Sequence, residues 1–177
     1  MNFTFLILLI TMLVTNDMIF EFNAESNISK WVILDDIVMG GKSDGNFTLN
    51  KKGNGVFSGV ISLDNNGGFS SVRYRLDKKC LKKYSKFIIK IKGDGKAYQF
   101  RAKKNQYDSH SYIYTFQTTS DWQTIEIPFS EMYPAFRGRI LNMKNYQGKQ
   151  LQEIAFLIGN KKNESFKLEI DEIEVSQ

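Results

Sequence analysis

Residues 35–45 read Asp35-Asp36-Ile37-Val38-Met39-Gly40-Gly41-Lys42-Ser43-Asp44-Gly45. The Gly-Lys-Ser within them decides whether the chain wraps a nucleotide phosphate or simply turns between strands. A phosphate loop needs an earlier glycine five residues before Gly41, and that position holds Asp36, whose carboxylate would repel a phosphate. It must also open a helix whose free N–H groups face the anion. The next residues are instead Gly45-Asn46-Phe47-Thr48-Leu49-Asn50, a short alternating run that reads as a strand. The stretch is therefore a glycine-rich turn in a β context.

Outward from this stretch the pattern stays β. Strands are expected at Ile19–Phe22, Val56–Leu63, Phe69–Leu76, Phe87–Lys92, Lys96–Ala102, Ser111–Gln117, Trp122–Ile127, Ile154–Ile158 and Phe166–Val175. Gly93-Asp94-Gly95 carries a hairpin signal. Helical signals are short: turns at Leu81–Tyr84 and at Phe129–Tyr133, the latter cut off by Pro134, and a helical stretch at Lys149–Glu153. In Leu168–Val175 the alternation slips one step at Asp171-Glu172, as a β-bulge requires. The spacing suits an all-β sandwich or barrel.

Alternation assigns faces. Val72, Tyr74 and Leu76 oppose Ser71, Arg73 and Arg75; Phe87, Ile89 and Ile91 oppose Lys90 and Lys92. Tyr98 and Phe100 oppose Gln99 and Arg101, and Tyr112, Tyr114 and Phe116 oppose Thr115 and Gln117. An aromatic core face and a basic, polar face result, and the plain reading of the second is a solvated surface.

With 177 residues, 42% of them hydrophobic and 14% aromatic, the chain suits one folded domain. The single cysteine, Cys80, excludes an internal disulfide, and with one histidine, His110, most metal and acid–base designs lack parts. Cys80 reads as a small apolar residue under a loop. No nucleophile, base and orienting group come together in the sequence, and neither cofactor nor metal is expected, although loop carbonyls and carboxylates leave a structural calcium as an alternative that nothing in the sequence selects. The net charge of +5 is concentrated between Lys78 and Lys104, but without a nucleic-acid-binding motif, so no nucleic-acid partner is expected. Phe3–Val14 is too short to span a bilayer as a helix and suits the apolar core of a signal peptide, although no basic residue precedes it and no small-residue cleavage site comes after it. Residues 1–17 are accordingly set apart from a domain at 18–177. The protein is expected to be secreted or periplasmic if the segment is a signal peptide, and otherwise cytoplasmic or membrane-associated.

A second glycine-rich loop, Asp64-Asn65-Asn66-Gly67-Gly68-Phe69-Ser70-Ser71-Val72-Arg73, joins two strands. The two loops are expected to meet in space, with Gly67 or Gly68 at positive φ and Arg73 within reach of the loop carbonyls or of Asp36, where its five fixed donors suit it to pin the two loops together or to hold an anionic or hydroxyl-rich partner. Taken in order, Trp31 with "DDIVMGGKSDG", then "GVFSGVISLDNNGGFSSVRYR", "DWQTIEIPFSEMYPAFRGR" and "FKLEIDEIEV" resemble the complex I intermediate-associated protein 30 family over about Met18 to Val175. The resemblance implies a galactose-binding-like jelly-roll β-sandwich and a non-enzymatic module that binds assembly intermediates of respiratory complex I, a membrane complex. It places characteristic residues at Asp36, Gly40, Gly41, Ser43, Asn65, Asn66, Gly67, Gly68, Arg73, Arg137 and Gly138. A carbohydrate-binding module is the alternative, with Arg73, Gln99 and Arg101 facing a glycan.

Overall fold

The computed structural model describes residues 16–177, so the signal-peptide reading of Phe3–Val14 lies outside the described residues. Thirteen strands occur among them: β1 (Asp17–Glu21), β2 (Trp31–Asp35), β3 (Asp44–Leu49), β4 (Gly55–Ile61), β5 (Ser70–Lys79), β6 (Lys86–Lys92), β7 (Ala97–Lys103), β8 (Ser111–Gln117), β9 (Trp122–Pro128), β10 (Tyr133–Phe136), β11 (Arg139–Ile140), β12 (Leu151–Ile158) and β13 (Glu164–Ser176). The first sheet runs β3-β4-β13-β6-β9, with β1 also paired to β13; the second runs β11-β10-β8-β7-β12-β5-β2. Each strand pairing is antiparallel. The two sheets form the expected galactose-binding-like jelly-roll sandwich.

The sheets close on the aromatic positions that alternation turned inward. Phe87 of β6 and Phe100 of β7 meet across the interior at 5.0 Å, and Phe87 also touches Phe129 at 4.9 Å. At one end Phe20, Phe22, Trp31, Phe47 and Tyr74 form a second aromatic group, with Trp31 stacked on Tyr74 at 5.0 Å. The bulge read at Asp171-Glu172 is present where β13 pairs with β6. It lets a strand of thirteen residues bend and serve β4 with its first half and β1 with its second.

Several expectations need correction. Gly93-Asp94-Gly95 is not a hairpin: β6 and β7 belong to different sheets, and the segment is a corner between them. The Asp94 carboxylate holds that corner by accepting from Lys96 Nζ at 2.7 Å, Tyr98 Oη at 3.1 Å and the Lys167 backbone N–H at 2.9 Å. The stretch expected to be helical at Lys149–Glu153 runs into β12, because ladder pairing with β5 and β7 on both sides outweighs a weak local propensity. Phe129–Glu131 is a short 3-10 turn as expected, but Pro134 sits inside β10 rather than ending structure there. Cys80 is exposed rather than packed beneath a loop. Among the described residues no helix is long and apolar enough to cross a membrane.

Phe87 is fully buried between the sheets, so Phe87→Ala leaves a cavity in the centre of the sandwich. Urea denaturation is expected to show a loss of about 3–5 kcal/mol. Tyr107→Ala, at a side chain 86% exposed, is expected to change stability by less than about 0.5 kcal/mol.

Candidate functional site

The two glycine-rich loops meet, and Asp36 joins them. The chain leaves the second sheet at the end of β2, makes a 3-10 turn over Asp36–Met39, and enters the first sheet at β3. It crosses back through Asp64–Asn66 between β4 and β5. The Asp36 carboxylate, fully buried at this double crossing, accepts from the Ser43 backbone N–H at 2.9 Å and from Ser43 Oγ at 2.5 Å. From the other loop it accepts the N–H groups of Gly68 at 2.5 Å and Phe69 at 3.2 Å. Asn65 Nδ2 donates to the Gly40 carbonyl at 3.0 Å, and Lys42 pairs with Asp64 at 3.0 Å.

This geometry explains the glycines and answers the question posed by Gly-Lys-Ser. Backbone N–H groups do converge on an anion, but the anion is the chain's own carboxylate. A side chain at Gly41 would collide with the Asp36 carboxylate, and one at Gly67 would stand 2.6 Å from its Oδ2. Gly68 has φ +126°, which other residues rarely adopt, whereas Gly67 does not have positive φ. Burial pushes the Asp36 pKa up, but the bonds from Ser43, Gly68 and Phe69 outweigh it and hold the carboxyl below the ordinary carboxylate range.

Asp36, Gly40, Gly41, Ser43, Asn65, Asn66, Gly67 and Gly68 therefore lie in one cluster. Arg73 and Arg137 lie outside it. Arg137 and Gly138 form the exposed tip between β10 and β11, at the opposite edge of the second sheet from β2. Arg73 projects from β5 on the sheet's outer face, and among the described residues its guanidinium makes no hydrogen bond to the loops or to Asp36. The pinning expected of Arg73 is done by Asp36.

Strand register places Arg73 in a row across that outer face. Val32, Arg73, Ala155, Arg101, Ile113 and Tyr133 are successive partners on β2, β5, β12, β7, β8 and β10. In the neighbouring row Glu153, 3% exposed, receives Arg75 Nε at 3.1 Å and lies 3.8 Å from Lys103 Nζ. Arg101 donates twice to Gln99 Oε1, at 3.0 and 2.6 Å. Burial, reinforced by the Arg73 charge, pushes the Arg101 pKa down to about 10. Burial also lowers that of Arg73, against the pull of Glu153. Glu153, Ala155 and Tyr133 escaped the sequence reading, because a row across strands exists only once register is known.

Asp36→Asn is expected to destabilise the domain by about 3 kcal/mol, since an amide turns donors toward N–H groups that need acceptors. Because the folded pKa of Asp36 is depressed, its contribution is full above the ordinary carboxylate range and is lost as pH falls through the lower folded value. Thermal melts across acidic pH should therefore show a shallower acid limb in Asp36→Asn than in wild type, with Asp17, also depressed through its bond to Lys79, retaining part of the slope. Gly68→Val is expected to cost about 1 kcal/mol or more by forcing a β-branched residue into positive φ, read as a drop in melting temperature.

The description Complex I intermediate-associated protein 30 belongs to the family whose profile matches residues 20–170. A Drosophila melanogaster protein named "Complex I intermediate-associated protein 30, mitochondrial" is 26% identical over 183 residues, covering 88% of this chain and 61% of the relative. A Mus musculus protein of the same name is 24% identical over 185 residues, covering 89% and 55%. This chain thus spans 61% or less of the length of these relatives. Among solved structures, the family 11 carbohydrate-binding module of a cellulosomal cellulase of Clostridium thermocellum superposes with a TM-score of 0.67 at 23% identity, covering 93% of this chain and 95% of that one. The Clostridium thermocellum family 11 module in complex with a β-1,3-1,4-mixed-linked tetrasaccharide gives 0.64 at 22% identity, covering 90% and 94%. These structural likenesses speak to the sandwich, whereas the sequence match runs through both glycine-rich loops and the carboxylate that ties them: the chain belongs to the Complex I intermediate-associated protein 30 family.

Proposed function

We propose that this chain is a non-enzymatic protein-binding module that associates with assembly intermediates of respiratory complex I, as the names of its relatives indicate for them. The observation that carries this reading is the outer face of the second sheet. Its aromatic rings turn mainly into the core, while Arg73, Arg75, Arg101 and Lys103 face outward around a single buried carboxylate, Glu153. Such a face offers fixed donors to a charged partner surface and few rings on which a sugar could stack. The Asp36 carboxylate, engaged by four hydrogen bonds, is committed to holding the loops rather than to moving protons.

A carbohydrate-binding reading rests on one cluster of the same face. Gln99 and Arg101 of β7 and Tyr133 of β10, with β8 between the two strands, bring an amide, a guanidinium and a half-buried tyrosine onto one face. The two readings separate in one pair of measurements. An affinity-tagged chain expressed in its native cells is expected to co-purify with complex I subunits from detergent-solubilised membranes, identified by mass spectrometry. Calorimetry with the β-1,3-1,4-mixed-linked tetrasaccharide is expected to show no heat of binding. Tetrasaccharide binding without retrieval of complex I subunits would reverse the assignment.

Export through the apolar segment Phe3–Val14 is the accompanying proposal for location, while the named relatives are mitochondrial. An intact mass of the purified protein lacking the N-terminal segment is the expected result, and full-length mass would count against it.

A further inference from the structure

We infer that Arg73 and Arg101 form a two-guanidinium clamp that takes a carboxylate from an extended acidic peptide segment laid across the outer face of the second sheet, with Ala155 as its floor. The inference rests on the protein-binding reading above and names the chemistry of the partner.

The geometry is set by register. Ala155 of β12 is the direct partner of Arg73 on one side and of Arg101 on the other. Two strand spacings put the two arginine Cα atoms about 10 Å apart, with a single methyl group between them on this face. Both arginines are half-buried. Among the described residues the Arg73 side chain has no hydrogen-bond or ion-pair partner, and the Arg101 side chain donates only to the neutral amide oxygen of Gln99. The carboxylate in the next row is already engaged, because Glu153 receives Arg75 and faces Lys103. Partly desolvated cations that repel one another without an acceptor are costly in the free protein. An anion above Ala155 would accept from both and relieve that cost, and the planar fork of each arginine suits a carboxylate.

The surroundings favour a peptide as the source of that carboxylate. The same row continues into Val32 on one side and into Ile113 and Tyr133 on the other. A shallow depression beside Arg73 is lined by Val32, Leu34, Arg73 and Arg75. Val32 is 57% exposed, and Ile113 is buried at the face. An acidic side chain flanked by apolar ones along an extended segment matches this order of apolar, cationic, small, cationic and apolar positions. A uniform polyanion does not.

The test is isothermal titration of the full chain with an acetylated, amidated peptide in which one glutamate has a leucine two residues before and two residues after it and serines between, so that all three face the same way when extended, against its counterpart with glutamine for glutamate, at low and high salt. The glutamate peptide is expected to bind at least about tenfold more tightly than the glutamine peptide, with the difference shrinking at high salt. Arg73→Met and Arg101→Met are each expected to weaken it by about tenfold or more. Lys82→Met, which removes the same charge from an exposed turn, should leave the affinity unchanged. Melting curves of the two arginine variants are expected to match wild type or better, since each removes a cation without a partnering anion. Should either variant fold poorly, Arg73→Lys and Arg101→Lys keep the charge, lose the fork, and are expected to bind with intermediate affinity.

Equal binding of the two peptides would overturn the proposal, and so would wild-type affinity in both arginine variants. Inorganic phosphate or oligogalacturonate binding through the arginines as tightly as the glutamate peptide would reassign the site to a general anion or an acidic glycan. If complex I subunits co-purify with Arg73→Met/Arg101→Met as with wild type, the clamp fails and the assembly reading stands. If the peptide binds but no subunits co-purify, the clamp stands and the assembly reading fails.

Discussion

A single carboxylate holds the place where this sandwich is sewn together. The chain passes between its two sheets twice in the same neighbourhood, from β2 to β3 and from β4 to β5. Each passage leaves backbone N–H groups that neither ladder satisfies. Asp36 collects donors from both, Ser43 on the first crossing and Gly68 and Phe69 on the second. A buried anion is unfavourable unless its lone pairs are filled, and here four donors fill them. The glycines answer that requirement. Gly41 and Gly67 lack side chains because the carboxylate occupies the space a Cβ would need, and Gly68 takes a backbone conformation that other residues rarely adopt.

That closure leaves the second sheet free to present a continuous outer face. Its β5, β12 and β7 strands lie in the middle of the sheet and are paired on both sides, so their registers are firmly held and so are the side chains they project. Charges on such a face are positioned rather than merely solvated. Arg75, Glu153 and Lys103 satisfy one another in one row, whereas the row of Arg73 and Arg101 carries cations without a carboxylate. A protein can tolerate this imbalance when a partner supplies the missing charge, which links the electrostatics of the face to a binding role. The structural likeness to carbohydrate-binding modules reflects the shared sandwich, since unrelated ligands are served by the same architecture.

Much of the core was legible from local pattern. In β6 and β7 every second residue is buried, and the aromatic positions that alternation turned inward are those that meet between the sheets. The slip at Asp171-Glu172 is a real bulge. The glycine-rich loops were legible as turns because their residue types tolerate unusual backbone angles. Other features were not legible. Trp31–Asp35 was not assigned as a strand although it is edge strand β2. Gly93-Asp94-Gly95 carried the residues of a hairpin but serves as a corner, since turn chemistry specifies a reversal of the chain and not which sheet receives the next strand.

By itself the sequence determined the all-β class, the inward and outward side of most strands, and the exclusion of a phosphate loop. Each of these depends on side-chain type and on the two-residue period, which are local properties. Only the tertiary structure decided that Asp36, rather than Arg73, ties the two loops, and that Arg73 and Arg101 flank Ala155. Both are facts about strand order and register. Residues far apart in sequence become neighbours only when particular strands pair, and a shift of one residue would have turned each of them to the opposite face.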